Sequence, residues 1–288
     1  MKKTNLTNIS FEFFPPKTPE GVNHLLQTAK ILADYNPDYF SVTFGAGGST
    51  REGTLDTVKM LLKHTPVAAT PHISCMGTSK QDILDILVKY QTLGIKHLVA
   101  LRGDLPSGMG MSGDLRYANE LVTFIREQTG DHFHIDVAAY PEIHPQAPSA
   151  QQDILNFKRK VEAGANGAIT QYFFNVDAYF HFLDECTTHG IFIPIVPGIM
   201  PIYQFSKLAR FSEVCGAEIP RWIRKRLESY GDDQESVRLF GLEVVYHMCD
   251  QLVAGGAPGL HFYTLNQADV VVMLLKHFKQ DQAASKAS

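Results

Sequence analysis

With 288 residues, 44% of them hydrophobic and 19% charged, the chain is long enough to bury one large core, which excludes the disordered and fibrous classes. A formal net charge of −4, a pI near 6.3 and scattered lysines and arginines leave no basic face for nucleic acid, so a small-molecule ligand is the expected partner. Cys75, Cys186, Cys215 and Cys249 lie far apart with no C-x-x-C pair, which speaks against zinc and a disulfide framework and suits a reducing cytoplasm. The start "MKKTNLTN" has no apolar stretch behind it, and the greasiest segment, "IFIPIVPGIMPI", is short and broken by prolines. Neither a signal peptide nor membrane attachment is expected.

Along the chain a strand-then-helix unit recurs roughly every 30 residues without sequence repetition. Runs rich in β-branched and aromatic residues predict strands at Ile9–Phe14, Tyr39–Phe44, Val67–Ser74, His97–Arg102, His134–Tyr140, Gly167–Phe173, Phe192–Val196 and Gly259–Leu265. Amphipathic segments lie between them, such as "SKQDILDILVKYQTLG", with Ser79 as N-cap and Gly94 as stop. An extra helical stretch from Pro220 to Ala254 precedes the last strand, and "QADVVVMLLKHF" follows it. Eight such repeats predict an α/β fold of the closed (β/α)8 TIM barrel kind, one domain over 1–288 with a short lead (1–8) and a frayed tail (about 279–288).

In such barrels the active site lies at the C-terminal ends of the strands, so the inward-pointing polar residues there are the candidates. On the first strand Ile9, Phe11 and Phe13 share one face, and Ser10, Glu12 and Phe14 the other. If the apolar trio packs against the helices, Glu12 faces the interior near its top. The same alternation brings Thr43, His72, Arg102, Asp104, Tyr140, Gln171, His261 and Tyr263 to the other strand ends. Any one of them could be a satisfied member of a hydrogen-bonded layer, but so many polar groups at one mouth, each costly to bury unpaired, point to function.

Two competing chemistries find little support. "GMGMSG", Gly108 to Gly113, matches G-x-G-x-x-G, yet "DLPS" separates it from its strand, and "GAGGST" lacks the third glycine. Metal-dependent barrel hydrolases carry H-x-H on the first strand, where this chain has "FEF". "HFH" at 132–134 lies at the start of the fifth strand, the wrong end of the barrel for catalysis, and no metal is expected.

"SFEFFPPKTPEG", "SVTFGAGGSTREGT", "PHISC", "ALRGDLPSG", "AAYPEIHPQA", "DILNFKRKVEAGANGAITQYFF", "IPIVPGIMPI" and "LHFYTLN" follow one another, from Phe11 to Asn266, as in the methylenetetrahydrofolate reductases, which the chain resembles in the short bacterial single-domain form. The resemblance implies non-covalent FAD, NADH or NADPH as donor, and 5,10-methylenetetrahydrofolate reduced to 5-methyltetrahydrofolate, a methyl supply for methionine synthesis. It implies a cytoplasmic homo-oligomer as well.

That chemistry gives Glu12 a task. The substrate's five-membered ring opens to an iminium cation before a hydride can be delivered, and opening needs a proton on the departing nitrogen. The family's catalytic glutamate corresponds to Glu12, in an aromatic surround that disfavours the charged form, and Pro15 and Pro16 stiffen the exit from its strand. Asp104 corresponds to the aspartate beside flavin and pterin, where its charge lowers the flavin's affinity for electrons.

By the same resemblance Thr43, His72, Arg102, Gly103, Asp104, Tyr117, Ala118, Tyr140, His144, Asp153, Asn156, Arg159 and Lys160 correspond to FAD contacts, with Arg159 and Lys160 facing the pyrophosphate. Gln171, Phe205 and Tyr263 fall to the folate or nicotinamide side. Two positions depart from the family pattern: Gln267 stands where an arginine commonly holds the folate, leaving Lys207 to compensate, and Phe44 replaces a frequent tyrosine. A barrel aldolase or isomerase would need a Schiff-base lysine or a phosphate site, and a non-catalytic flavin or folate binder would not need Glu12.

Overall fold

The computed structural model describes residues 8–44, 51–103 and 113–286. Strands β1 (Ile9–Phe13), β2 (Tyr39–Val42), β3 (Ala68–Ser74), β4 (His97–Leu101), β5 (His134–Ala139) and β6 (Gly167–Thr170) alternate with helices α1 (Pro19–Ala33), α2 (Arg51–His64), α3 (Lys80–Thr92), α4 (Ala118–Thr129), α5 (Ala150–Glu162) and α6 (Val176–Thr188). There follow β7 (Ile195–Val196), β8 (Gly198–Ile199), α7 (Phe205–Cys215), α8 (Arg221–Tyr230), α9 (Gln234–Ala254), β9 (Leu260–Tyr263) and α10 (Asp269–Lys286). All pairings are parallel, in the order β7-β6-β5-β4-β3-β2-β1-β9-β8. Among the described residues no helix is long and apolar enough to cross a membrane.

The expected barrel is therefore present, with its seventh strand divided. Phe192, expected inside that strand, is 77% exposed, and pairing starts only at Ile195. Pro197 has no N–H to give and splits the run. Ile195–Val196 pairs with β6 and Gly198–Ile199 with β9, so the two ends of the sheet are joined through one proline. The Pro197 carbonyl accepts from His261 N at 3.1 Å, and Gly198 N donates to Thr170 Oγ1 at 2.9 Å, stitching the closure.

The helices begin where side chains can satisfy their free N–H groups. Thr18 accepts from Gly21 N ahead of Pro19, Ser79 from Asp82 N, and Asp233 from Ser236 N. Gly94 adopts φ +74 just past α3, as its expected role as a stop requires. The stretch from Pro220 to Ala254 is two helices rather than one, divided at Gly231 with φ +54. The backbone of α10 runs on to Lys286, into the segment expected to fray, where alanine, glutamine and lysine favour the helix.

Alternation sorts the strand residues as expected. Ile9, Phe11 and Phe13 are buried on the outer side, where Phe11 packs on Phe40 and Phe262 at 6.2 and 5.8 Å between ring centroids. Phe13 meets Phe40 edge-on at 5.2 Å. Each such side chain contributes about 1.5–3 kcal/mol through the area it removes from water. The inner side is polar: Ser10, Ser41, Thr70, His72 and His261 are all buried.

Two consequences for stability can be measured. A Cβ on Gly198 would stand 2.2 Å from the Thr170 carbonyl and 2.6 Å from the Tyr263 ring, at the seam of the barrel. Gly198→Ala should therefore lower the denaturation midpoint by an amount equivalent to about 1–3 kcal/mol; an unchanged midpoint would mean that the seam adapts freely. Burial of His72 lowers its pKa from 6.5 to about 4, against the pull of Glu12. The folded state then binds fewer protons than the unfolded chain, so stability falls as the pH drops from 6.5 towards 4, by about 3 kcal/mol for a shift of this size. In His72→Gln that part of the acid loss should disappear, read as denaturation midpoints against pH. Parallel curves for the two proteins would remove His72 as its cause.

Candidate active site

Glu12 is positioned by its own backbone. Thr264 Oγ1 donates to the Glu12 carbonyl at 2.6 Å, and the Thr264 N–H reaches the same oxygen at 3.3 Å. Two residues on, Asn266 imitates a neighbouring strand. Its Oδ1 accepts from Phe14 N at 3.0 Å and its Nδ2 donates to Phe14 O at 2.9 Å, extending the pairing of β1 beyond its last registered residue. Leu265 and Asn266 adopt positive φ of 51° and 58° to make this turn, a strain of order 1 kcal/mol or more that the bonds offset.

The Glu12 side chain is 17% exposed and faces two imidazoles rather than the aromatic surround expected for it, since Phe11 and Phe13 lie on the opposite face of β1. Its Oε2 lies 3.4 Å from His72 Nε2 and 3.6 Å from His261 Nε2. Neither contact is aligned as a hydrogen bond, and both Nε2 atoms are buried with no hydrogen-bond partner among the described residues. His261 is anchored from behind, its Nδ1 2.7 Å from Ser10 Oγ. Tyr263 stands across from Glu12 in the β1–β9 register and donates its hydroxyl to Thr170 O at 2.7 Å. Burial first, and the Glu12 charge second, push its phenol well above the ordinary value, so it stays protonated. No lysine or arginine among the described residues pairs with Glu12.

Of the other expected residues, Arg102, Tyr140, His144, Asp153, Asn156, Arg159 and Lys160 form a band along β5 and α5, whereas Thr43, Tyr117, Ala118, Gln171 and Phe205 stand on other elements. Thr43 bonds its backbone to Phe13 while its Oγ1 is buried without a partner among the described residues, like Ser41 Oγ and Thr70 Oγ1 beside it on the inner side. Arg102 donates from Nη2 to Gln146 Oε1 at 2.6 Å. Gly103, at φ +83, is where only glycine fits, because a Cβ would lie 1.9 Å from Ser74 Oγ. Tyr140 and His144 meet edge-on at 4.5 Å, and the Asp153 carboxylate accepts from His144 N at 2.8 Å. Asn156 Oδ1 accepts from Arg159 Nη1 at 2.8 Å. Lys160 is half-buried and donates to Ala138 O at 2.5 Å; burial lowers its pKa to about 8, opposed by Asp153. Tyr117 and Ala118 open α4, Tyr117 exposed, and Phe205 opens α7 against the core. Gln171 caps β6, its Oε1 accepting from Tyr172 N at 3.0 Å. Asp104 and the glycines of "GAGGST" lie outside the described residues.

Three contributors escape a reading of strand alternation. Thr264 and Asn266 act on main-chain atoms of β1 some 250 positions away, a partnership that only closure of the barrel creates. Glu142 lies beside Tyr140, Gln171, Tyr172 and Cys215 at the mouth, accepts from Glu218 N at 2.8 Å, and is pushed by burial up to about 7. Its signal in the sequence is a lone carboxylate in "YPEIHP" just past a strand end. A larger cavity, about 340 Å³, lies away from this chemistry, lined by Asn175, Trp222, Phe240, His247 and their neighbours on the helices.

Comparison with known proteins places the chain in a family. The sequence model of methylenetetrahydrofolate reductase matches residues 1–279. The 5,10-methylenetetrahydrofolate reductase of Escherichia coli strain K12 is 42% identical over 263 residues, 91% of this chain and 88% of that protein. That of Buchnera aphidicola subsp. Schizaphis graminum is 40% identical over 269 residues, 93% of this chain and 91% of that one. A probable methylenetetrahydrofolate reductase (NADH) of Oryza sativa subsp. japonica is 38% identical over 90% of this chain, which matches 46% of that longer protein. An uncharacterised protein from Clostridium thermocellum that binds two copies of 5-methyl-5,6,7,8-tetrahydrofolic acid superposes over 96% of both chains with a TM-score of 0.68; at 15% identity that likeness speaks for the barrel alone. Matches of this length and identity, on a barrel whose mouth holds Glu12, make the chain a member of the methylenetetrahydrofolate reductase family and an oxidoreductase of that activity.

Proposed function

We propose that this reductase uses non-covalent FAD with NADH as donor, NADPH being the alternative, and that Glu12 is the acid that opens the folate ring. The observation that carries the reading is the setting of Glu12: an inward carboxyl at the mouth, pinned through its backbone and facing two imidazoles, with no fixed cation beside it among the described residues. A permanent positive charge there would hold the carboxylate ionised and oppose proton donation. His72, its pKa lowered to about 4 by burial, is neutral at working pH.

The residues present suit a flavin dinucleotide. Thr43 Oγ1 and His72 Nε2 are buried polar atoms needing partners, at a cost of about 1–3 kcal/mol each when unmet. Arg159 and the half-buried Lys160, farther along the band, supply the positive charge a pyrophosphate requires. Held there, FAD would supply two-electron hydride chemistry between nicotinamide and folate. Around it Glu12 gives a proton to the departing ring nitrogen, Asp104 orients the pterin amino groups and places a negative charge by the flavin, and Gln171, Phe205 and Tyr263 line the folate or nicotinamide side.

One mouth leaves room for one large partner at a time, so the kinetics are ping-pong: the nucleotide binds and leaves before the folate enters. The product's methyl group then serves methionine synthesis, and the four free cysteines suit the reducing cytoplasm in which this takes place.

Denaturing the purified holoprotein should release FAD, and Lys160→Met should retain less of it than the wild type; release of FMN alone would overturn the pyrophosphate assignment. Glu12→Gln keeps size and hydrogen bonding but has no proton to give. Stopped-flow measurement should find flavin reduction by NADH nearly intact, and reoxidation by methylenetetrahydrofolate slowed by about 10²–10⁴-fold or more. Equal damage to both halves would make Glu12 a flavin-binding residue instead.

A further inference from the structure

The opposite end of the barrel carries a second convergence of reactive side chains. His134 and Asp136 stand two apart on β5 and so point to the same side, while His97 opens β4 as the registered partner of His134. His97 Nε2 lies 2.7 Å from Asp136 Oδ2, and His134 Nε2 lies 3.2 Å from Asp136 Oδ1. The two imidazoles meet edge-on at 4.7 Å, and one ligand atom from each of the three residues lies within 4.8 Å of the others. Gly167, across from Asp136 on β6, keeps the space open, since a Cβ there would stand 2.4 Å from Asp136 Oδ1.

Asp136 is 6% exposed. No lysine or arginine among the described residues pairs with it. A buried carboxylate is costly unless neutralised, and here its only neighbours of opposite tendency are two imidazoles, the preferred nitrogen ligands of transition metals. The His134 side chain is 51% exposed, which gives an ion a way in from solvent.

We propose that His97, His134 and Asp136 bind a divalent transition-metal ion of the zinc class at the N-terminal end of the barrel. Two imidazole nitrogens and one carboxylate oxygen leave a fourth, tetrahedral position for water. Each ring ligates through Nε2 as its Nδ1–H tautomer, the proton that Nε2 gives Asp136 in the metal-free protein passing to Nδ1 by exchange with solvent, so Asp136 exchanges two N–H donors for the ion. Ligand bonds of about 2.0–2.2 Å require the His97–Asp136 contact to widen slightly, which the terminal position of His97 on its strand permits. The site lies at the other end of the strands from Glu12 and ties β4 to β5 without touching the reaction. His132, the other histidine of "HFH", is not part of it, since its ring contacts Ile95 O and Lys96 Nζ.

The test is zinc retention by the purified holoprotein, stripped with EDTA, dialysed against micromolar free zinc and measured by atomic spectroscopy. One zinc per chain is expected, undisturbed by millimolar magnesium and accompanied by a rise in melting temperature. Asp136→Asn and His134→Gln should each weaken retention by about tenfold or more, whereas His132→Gln should match the wild type. His134 is half-exposed, so its variant remains informative if Asp136→Asn fails to fold. No zinc held by the wild type, or equal retention by the wild type and the two ligand variants, would overturn the site. Reductase activity is read separately, so failure here leaves the assignment of Glu12 untouched.

Discussion

The pairing of the first strand with the last is the constraint on which the rest of this molecule depends. Glu12 is registered against Tyr263, Ser10 against His261, and the bonds of Thr264 and Asn266 to β1 continue that seam past its regular end. Because side chains alternate along a strand, a slip of one residue would send Glu12 among the helices and bring Phe11 or Phe13 into the mouth. The aromatic packing of Phe11 on Phe40 and Phe262 prevents that slip, and so a hydrophobic interaction outside the barrel sets the place of a carboxyl inside it.

The polar interior carries a cost that function explains. Among the described residues Ser41, Thr43 and Thr70 each bury an unpartnered hydroxyl oxygen, and His72 and His261 each bury an unpartnered ring nitrogen, on the inner side of strands whose outer side is apolar. A barrel selected for stability alone would fill such positions with branched aliphatic residues. On the proposed reading the same atoms would serve as hydrogen-bond partners of a flavin and a pterin, so stability forgone in the free protein would return as binding. His72 shows the balance most directly: neutral through burial, it sits beside Glu12 without fixing its charge.

The two ends of the strands divide the work. At the C-terminal end Asp153 holds the loop after β5 on the first turn of α5 beside Tyr140 and His144, and Lys160 ties the last turn of that helix back to Ala138 of β5. At the N-terminal end His97, His134 and Asp136 gather by the same rule of alternation but face no substrate. The rule that finds a catalytic mouth therefore also finds a structural site, and the end of the strand tells them apart.

Much of this was legible in the chain itself. The strand-helix alternation, the barrel, the inward face of Glu12 and the caps at Ser79 and Gly94 are local matters of period and propensity, written in neighbouring residues. The boundaries of the seventh strand were not, because Phe192 has strand character but no partner, and Pro197 divides a run whose halves serve opposite edges of the sheet. Nor could the sequence show that Asn266 completes β1 or that His97 stands opposite His134, since each needs two segments brought together by the register. Composition and period determined the architecture and the candidate carboxyl; the tertiary structure alone decided what surrounds it, because charge, burial and hydrogen bonding belong to pairs of residues that only folding makes neighbours.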